Sequence, residues 1–125
     1  MSRRQARRQA LFLLYQWDLS GQQIGSQYAG EIDVWARGVA ETVAGRAEEL
    51  DARITEAATG WTADRLGTVE RSALRVAVHE LETAEVPAEV AINEAVAFTK
   101  RYASEDGARL VNGILGRIQR EGQTV

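Results

Sequence analysis

The chain has 125 residues, of which 45% are hydrophobic, and this length and composition are typical of one globular domain with its own core. It contains no cysteine and a single histidine, His79, which excludes disulfides, thiolate zinc sites, cysteine nucleophiles and histidine-rich metal clusters and fits a reducing cytoplasm. The net charge of -3 conceals an asymmetry: the first ten residues carry four arginines and no acid, whereas the other 115 carry 11 basic and 18 acidic side chains, a net charge of -7.

The first predicted helix covers residues 3–19. Ser2 precedes it as a suitable N-cap, and Ser20 with Gly21 ends it. Its apolar residues recur at helical spacing and predict a buried stripe: Ala6, Ala10, Leu13, Leu14 and Trp17.

A loop rich in glycine, glutamine and serine follows, and the sequence leaves open whether residues 20–34 are ordered. A stripe with steps of three and four then runs from Trp35 to Trp61, which predicts either one long helix or two helices that meet at Gly45. A short helix is expected after Thr62, with Gly67 at its end.

Three further helices are predicted, over residues 68–85, 88–103 and 106–120. Val86 and Pro87 separate the first two of these, because a residue before proline avoids the helical region. The longest apolar run, residues 10–15, is too short to cross a membrane, and no signal-peptide pattern follows the start. The chain is therefore expected to be an all-α single domain, residues 1–125, of six or seven helices.

The sequence contains none of the common motifs for nucleotide, dinucleotide or zinc chemistry. Nothing in it favours a carboxylate pair for acid–base catalysis, and we expect a protein without enzymatic activity and without a cofactor or metal.

The first helix carries a second face that is not part of the predicted core. An arc of about 80° contains two arginines followed by aromatic and aliphatic side chains: Arg4, Arg8, Phe12, Tyr15 and Leu19. Arg3 and Arg7 flank the buried stripe on its other side. Arginine forks bind phosphate oxygens and a neighbouring ring can stack on an unpaired base, so this face favours RNA binding. The alternative is a solvated arginine face in which Phe12 and Tyr15 complete the core.

Three polar residues require an explanation. Glu70 falls within the apolar stripe of its helix, where an unpaired buried carboxylate would cost several kcal/mol. We therefore expect it to be exposed in the first helical turn or to meet a cation from another protein. Asp106 is placed to cap the last helix, or to accept a hydrogen bond from a base amino group or a 2′-hydroxyl. His79 points away from the apolar stripe and is expected to lie in solvent.

Four segments of the sequence form a distinctive pattern: RRQARRQALFLLYQW at residues 3–17, VERSALRVA at residues 69–77, VAINEAV at residues 90–96 after Val86 and Pro87, and LVNG at residues 110–113. Together they resemble the bacterial transcription antitermination factor NusB family. The first segment is similar to the start of that family, and the second is similar to its central helix. The resemblance is close over residues 3–19 and 61–118 and loose between them.

The resemblance implies an all-α fold of two packed helical subdomains. It also implies binding to boxA of ribosomal RNA transcripts together with NusE, a small-subunit ribosomal protein, in an RNA polymerase complex that resists termination. The implied RNA-binding residues are Arg3, Arg4, Arg7, Arg8, Tyr15, Leu19 and Asp106, and the implied contact with NusE is Glu70. The chain departs from the family pattern at Leu110, where an aromatic residue is frequent, at Glu89, where a basic residue is frequent, and at Gly107, which replaces a more polar residue.

Two alternatives stand beside this interpretation. One is the related RNA-recognition domain of some ribosomal RNA cytosine methyltransferases, for whose catalytic domain we expect this chain to be too short. The other is a helical oligomerisation module without an RNA role. Some NusB-like proteins form homodimers that cover the arginine helix, so the sequence leaves a homodimer open.

Overall fold

The computed structural model describes residues 1–123 and is helical throughout its regular structure. Six α-helices and one 3-10 turn follow one another: α1 Arg3–Ser20, α2 Val34–Gly45, α3 Ala47–Ala57, the 3-10 turn Ala63–Arg65, α4 Thr68–Thr83, α5 Ala88–Tyr102 and α6 Glu105–Gln123. The predicted all-α class with six or seven helices is confirmed. The helices group into two compact units, Met1–Ala47 and the chain from Glu48 onward.

Local hydrogen bonds define both ends of α1. The Ser2 Oγ accepts from the Gln5 backbone N–H at 3.1 Å, and the Ser2 N–H donates to the Gln5 Oε1 at 2.9 Å. This reciprocal pair satisfies two N–H groups that the helix itself leaves unbonded. At the other end Gly21 adopts a left-handed conformation with φ 72°, and its N–H donates to the Trp17 carbonyl. The predicted N-cap and helix end are both confirmed.

One buried side chain holds the loop between α1 and α2 against α1. The Gln9 side chain is 6% exposed. Its Nε2 donates to the Tyr28 hydroxyl at 3.1 Å and to the Glu31 carbonyl at 3.0 Å, while its Oε1 accepts from the Asp33 N–H at 2.8 Å. The Asp33 carboxylate in turn caps α2 by accepting from the Ala36 N–H. The loop therefore has a defined path, the point that the sequence left open.

The stripe that begins at Trp35 forms two helices, and the chain breaks between them at Arg46. The stripe is shorter than expected, because α3 ends at Ala57 and Gly60 then turns the chain with φ 82°. Trp61 lies beyond this turn and is 49% exposed, so its predicted place in the core is wrong.

In the second unit, α4 packs against α5 and α6. Nine consecutive residues of α4, from Ser72 to Glu80, are buried, which is more than two turns and therefore includes every face of the helix. His79 is one of them, at 9% exposed. The expectation that it lies in solvent is wrong, because the apolar stripe is not the only face of α4 that is covered.

Across the described residues, no helix combines the length and apolar character that crossing a bilayer requires.

Candidate nucleic-acid interface

The face of α1 that lies outside the predicted core is at least partly exposed along its length. Arg4 is exposed, Arg8 and Tyr15 are half-buried, and Leu19 is 61% exposed. Because α1 is helical from Arg3 to Ser20, these four side chains keep their helical phasing along about 22 Å of its axis. We call this line, together with exposed Arg3, the arginine face.

Arg3 and Arg7 both lie beside Trp35 of α2. The Arg3 Cζ is 4.2 Å from the centroid of the Trp35 ring, and the Arg7 Cζ is 6.0 Å from it. Both distances are within the range of cation–π attraction. The three side chains form a cluster, Arg3–Trp35–Arg7, in which the ring itself is half-buried.

Arg7 is not on the surface. It is 4% exposed, so little of its side chain can be reached by a phosphate. Its predicted direct contact with RNA does not fit this burial. Helical phasing alone could not show this, because the side chain is placed beside Trp35, a residue of another helix.

Asp106 belongs to the second unit, whereas the arginine face belongs to the first. The Asp106 side chain is 89% exposed and pairs with Arg109 one turn later. It is not the N-cap of α6: the Ser104 Oγ accepts from the Gly107 N–H at 2.9 Å, and the Ser104 carbonyl accepts from the Ala108 N–H at 3.0 Å. The predicted capping role of Asp106 is therefore wrong, because α6 begins one residue earlier than expected. Its carboxylate is left at the surface of the first turn.

The Glu70 carboxylate lies at the start of two helices. Glu70 is half-buried in the first turn of α4, and its side chain folds back over Gly67, the residue that precedes the helix. A Cβ placed on Gly107, in the first turn of α6, would lie 3.1 Å from the Glu70 Oε1. Both glycines thus leave room for the carboxylate, and both helix N-termini favour a negative charge. This arrangement explains how an acid can occupy a position in an apolar stripe.

One open cleft of the second unit is acidic. Its volume is about 590 Å³, and its lining includes four carboxylates: Glu48, Asp51, Glu56 and Asp64. Asp51 forms a two-pronged ion pair with Arg75, with both N–O distances at 2.7 Å. A hydrogen bond from the Thr62 side chain, aided by the charges of Arg65 and Arg71, lowers the pKa of Asp64. Such a cleft repels phosphate.

Among residues 1–123, no group of three or more histidine, cysteine or acidic side chains is arranged to hold a metal ion.

Comparison with known proteins gives a consistent result. A model of the NusB family matches residues 4–120. The transcription antitermination protein NusB of Rubrobacter xylanophilus is 41% identical over 122 residues, which cover 92% of this chain and 88% of that protein.

Two solved structures are similar over nearly the whole chain. NusB of T. maritima has a TM-score of 0.85 at 29% identity, covering 97% of this chain and 92% of that one. A chain in the crystal structure of the antitermination factors NusB and NusE in complex with dsRNA has a TM-score of 0.80 at 32% identity, covering 95% and 96%. The helical fold, the family match and these relatives agree, and the chain belongs to the NusB family of transcription antitermination proteins.

Proposed function

We propose that this protein is an RNA-binding antitermination factor that binds boxA of ribosomal RNA transcripts together with NusE. The observation that carries the proposal is the arginine face of α1, where arginines and an aromatic ring share one line on the surface. A structural relative that is solved with NusE and dsRNA supports NusE and RNA as partners.

The residues of the arginine face suit an unpaired RNA strand. Arg3, Arg4 and Arg8 supply forked N–H donors for phosphate oxygens. Tyr15 follows them along the helix and offers a ring on which a base can stack, and Leu19 extends that apolar end. Asp106, on the second unit, is an exposed acceptor for a base amino group or a 2′-hydroxyl.

The acidic remainder of the chain implies a need for a partner. With a net charge of -7 outside the first ten residues, the protein attracts RNA only locally, so its affinity for arbitrary RNA should be weak. NusE, as a ribosomal protein, would add positive surface, and Glu70 would meet one of its cations. The resulting assembly acts on RNA polymerase in the cytoplasm and requires no catalytic group from this chain.

The test is the double variant Arg4→Ala with Arg8→Ala. Loss of two charged phosphate contacts should lower the affinity for a boxA RNA oligonucleotide by roughly 100-fold in a filter-binding titration. It should also make the slope of log affinity against log salt less negative by about 1.4 if the RNA is single-stranded. The melting temperature should stay unchanged, because neither guanidinium belongs to the core.

The control removes two arginine charges elsewhere, Arg37→Ala with Arg65→Ala, both at exposed positions. It should leave the RNA affinity within about twofold of the unsubstituted protein, since neither residue belongs to the arginine face and salt screens exposed charges that make no direct contact. Unchanged affinity of the Arg4/Arg8 variant would remove the arginine face as the RNA site.

A further inference from the structure

Trp35 lies beside two arginines of α1. It is the second residue of α2, and its half-buried ring contacts the guanidinium of Arg3 at 4.2 Å. Arg7, one turn along α1 from Arg3, lies 6.0 Å from the same ring and is 4% exposed. A single ring therefore lies near one buried arginine and one surface arginine.

A stacked arginine differs from a solvated one in its readiness to bind. A free arginine side chain carries about 2 kcal/mol of rotamer entropy, part of which is lost when it binds a phosphate. A guanidinium contacts a ring through its flat face, whereas its N–H donors lie in its plane. Contact with Trp35 can thus restrict Arg3 without using the donors that a phosphate needs.

We propose that Trp35 is a positioning residue of the RNA surface, which holds the Arg3 guanidinium in place for a phosphate oxygen. Arg7 has a different role: from inside the unit it holds the Trp35 ring, and it does not touch RNA. This inference rests on the proposed function, because it takes the arginine face as the RNA site. It divides the four arginines into ligands, Arg3, Arg4 and Arg8, and one support, Arg7.

A double-mutant cycle on Arg3 and Trp35 tests the proposal, with affinity for a boxA RNA oligonucleotide as the readout. Trp35→Leu should lower the affinity about 2- to 5-fold, the range expected for loss of an exposed cation–π contact. Arg3→Ala should lower it at least as much. The double variant should be no weaker than Arg3→Ala alone, because Trp35 acts only through Arg3.

The matched control pairs Trp35→Leu with Arg8→Ala. Arg8 lies on the same helix, but on the other side of the buried stripe from Arg3 and Arg7. The two losses should therefore multiply. A merely structural role of Trp35 would instead weaken the Arg3→Ala and Arg8→Ala proteins by the same factor. If Trp35→Leu does not fold, Trp35→Phe takes its place in the cycle, with a smaller coupling of the same sign because phenylalanine binds cations less strongly.

A spectroscopic readout reports on the contact directly. The chain has three tryptophans, so Trp17→Phe with Trp61→Phe leaves Trp35 as the single tryptophan, whose emission can be excited apart from that of the tyrosines. Arg3→Ala in this background should change the emission of the free protein, and RNA should change the emission of the parent but have a smaller effect on the Arg3→Ala protein.

The outcomes separate the two proposals. Multiplying losses for Arg3 and Trp35, or full RNA affinity in Trp35→Leu, would overturn the positioning role even if the Arg4/Arg8 variant loses RNA. Full affinity of the Arg4/Arg8 variant would overturn the RNA surface itself, and the role of Trp35 with it.

Discussion

At the scale of single residues, Glu70 shows how a carboxylate can be stable within the protein and still be suited to a partner. Its side chain lies between the first turns of α4 and α6, where two glycines give it space. The helix N-termini favour its charge without neutralising it completely. A half-buried carboxylate in this setting can accept a further hydrogen bond from a cation on another protein.

We expect Glu70→Ala to weaken binding of NusE about 10-fold, as measured by calorimetry, because a charged hydrogen bond across an interface contributes about 1.5–3 kcal/mol. Glu85→Ala is the control, since it removes one negative charge from an exposed position after α4. If the Glu70→Ala protein binds NusE with full affinity, Glu70 serves only to stabilise the starts of α4 and α6.

At the scale of secondary-structure elements, two polar residues at the start of α6 have different roles, although either could have capped the helix. Ser104 caps the helix, and Asp106 is left exposed in the first turn beside Arg109. The Ser104 hydroxyl is thus engaged in the capping hydrogen bond, whereas the exposed Asp106 carboxylate can accept further hydrogen bonds from solvent or RNA.

Removal of the cap should be visible in stability alone. Ser104→Ala is expected to lower the free energy of unfolding by about 1 kcal/mol in urea denaturation, the typical contribution of an N-cap. Asp106→Ala should change it by less than about 0.5 kcal/mol, as exposed surface substitutions do, and should weaken RNA binding instead. Equal losses of stability in the two variants would contradict this assignment of the cap.

The ends of the helices could be predicted from sequence because their causes are local. Ser2 with Gln5 and Gly21 act within a few residues along the chain, and the structure shows them at the predicted ends of α1. Where neighbouring residues compete, the prediction loses accuracy: Ser104 and Asp106 are two residues apart, both are suitable caps, and only the exact first turn of α6 decides between them.

Burial could be predicted only where it depends on the stripe of a single helix. His79 is buried because more than one face of α4 is covered, and Arg7 is buried beside a ring from α2. The arginine face could be predicted from helical periodicity because it lies on one uninterrupted helix. The contact of Trp35 with Arg3 and Arg7 could not be predicted in this way, since it joins positions 28 to 32 residues apart and leaves no periodic signal in the sequence.

At the scale of the whole molecule, the distribution of charge determines how binding should respond to salt. Four arginines at the start are attached to a remainder with 11 basic and 18 acidic side chains. Attraction to RNA therefore comes from a few contacts and not from a general positive field.

We expect the affinity for boxA RNA to be weak for this protein alone and to rise by at least 10-fold when NusE is present, because the partner adds positive surface. Titrations at 50 and 200 mM salt should give a shallow salt dependence for the protein alone and a steeper one for the pair, reflecting more phosphate contacts. A scrambled RNA of the same length is the control, and NusE should raise its affinity less. An identical slope with and without NusE would show that the partner adds no phosphate contacts.

The hydrogen bonds of Gln9 have a consequence for how the first unit opens. The Asp33 N–H is bonded at 2.8 Å to a side chain of α1, so its exchange with solvent deuterium requires the loop to leave that helix. The Gln9 side-chain amide also donates to the Tyr28 hydroxyl and to the Glu31 carbonyl. All three hydrogen bonds to the loop therefore depend on one buried side chain. The three bonds should therefore break together when the loop leaves α1, and α1 itself can stay helical.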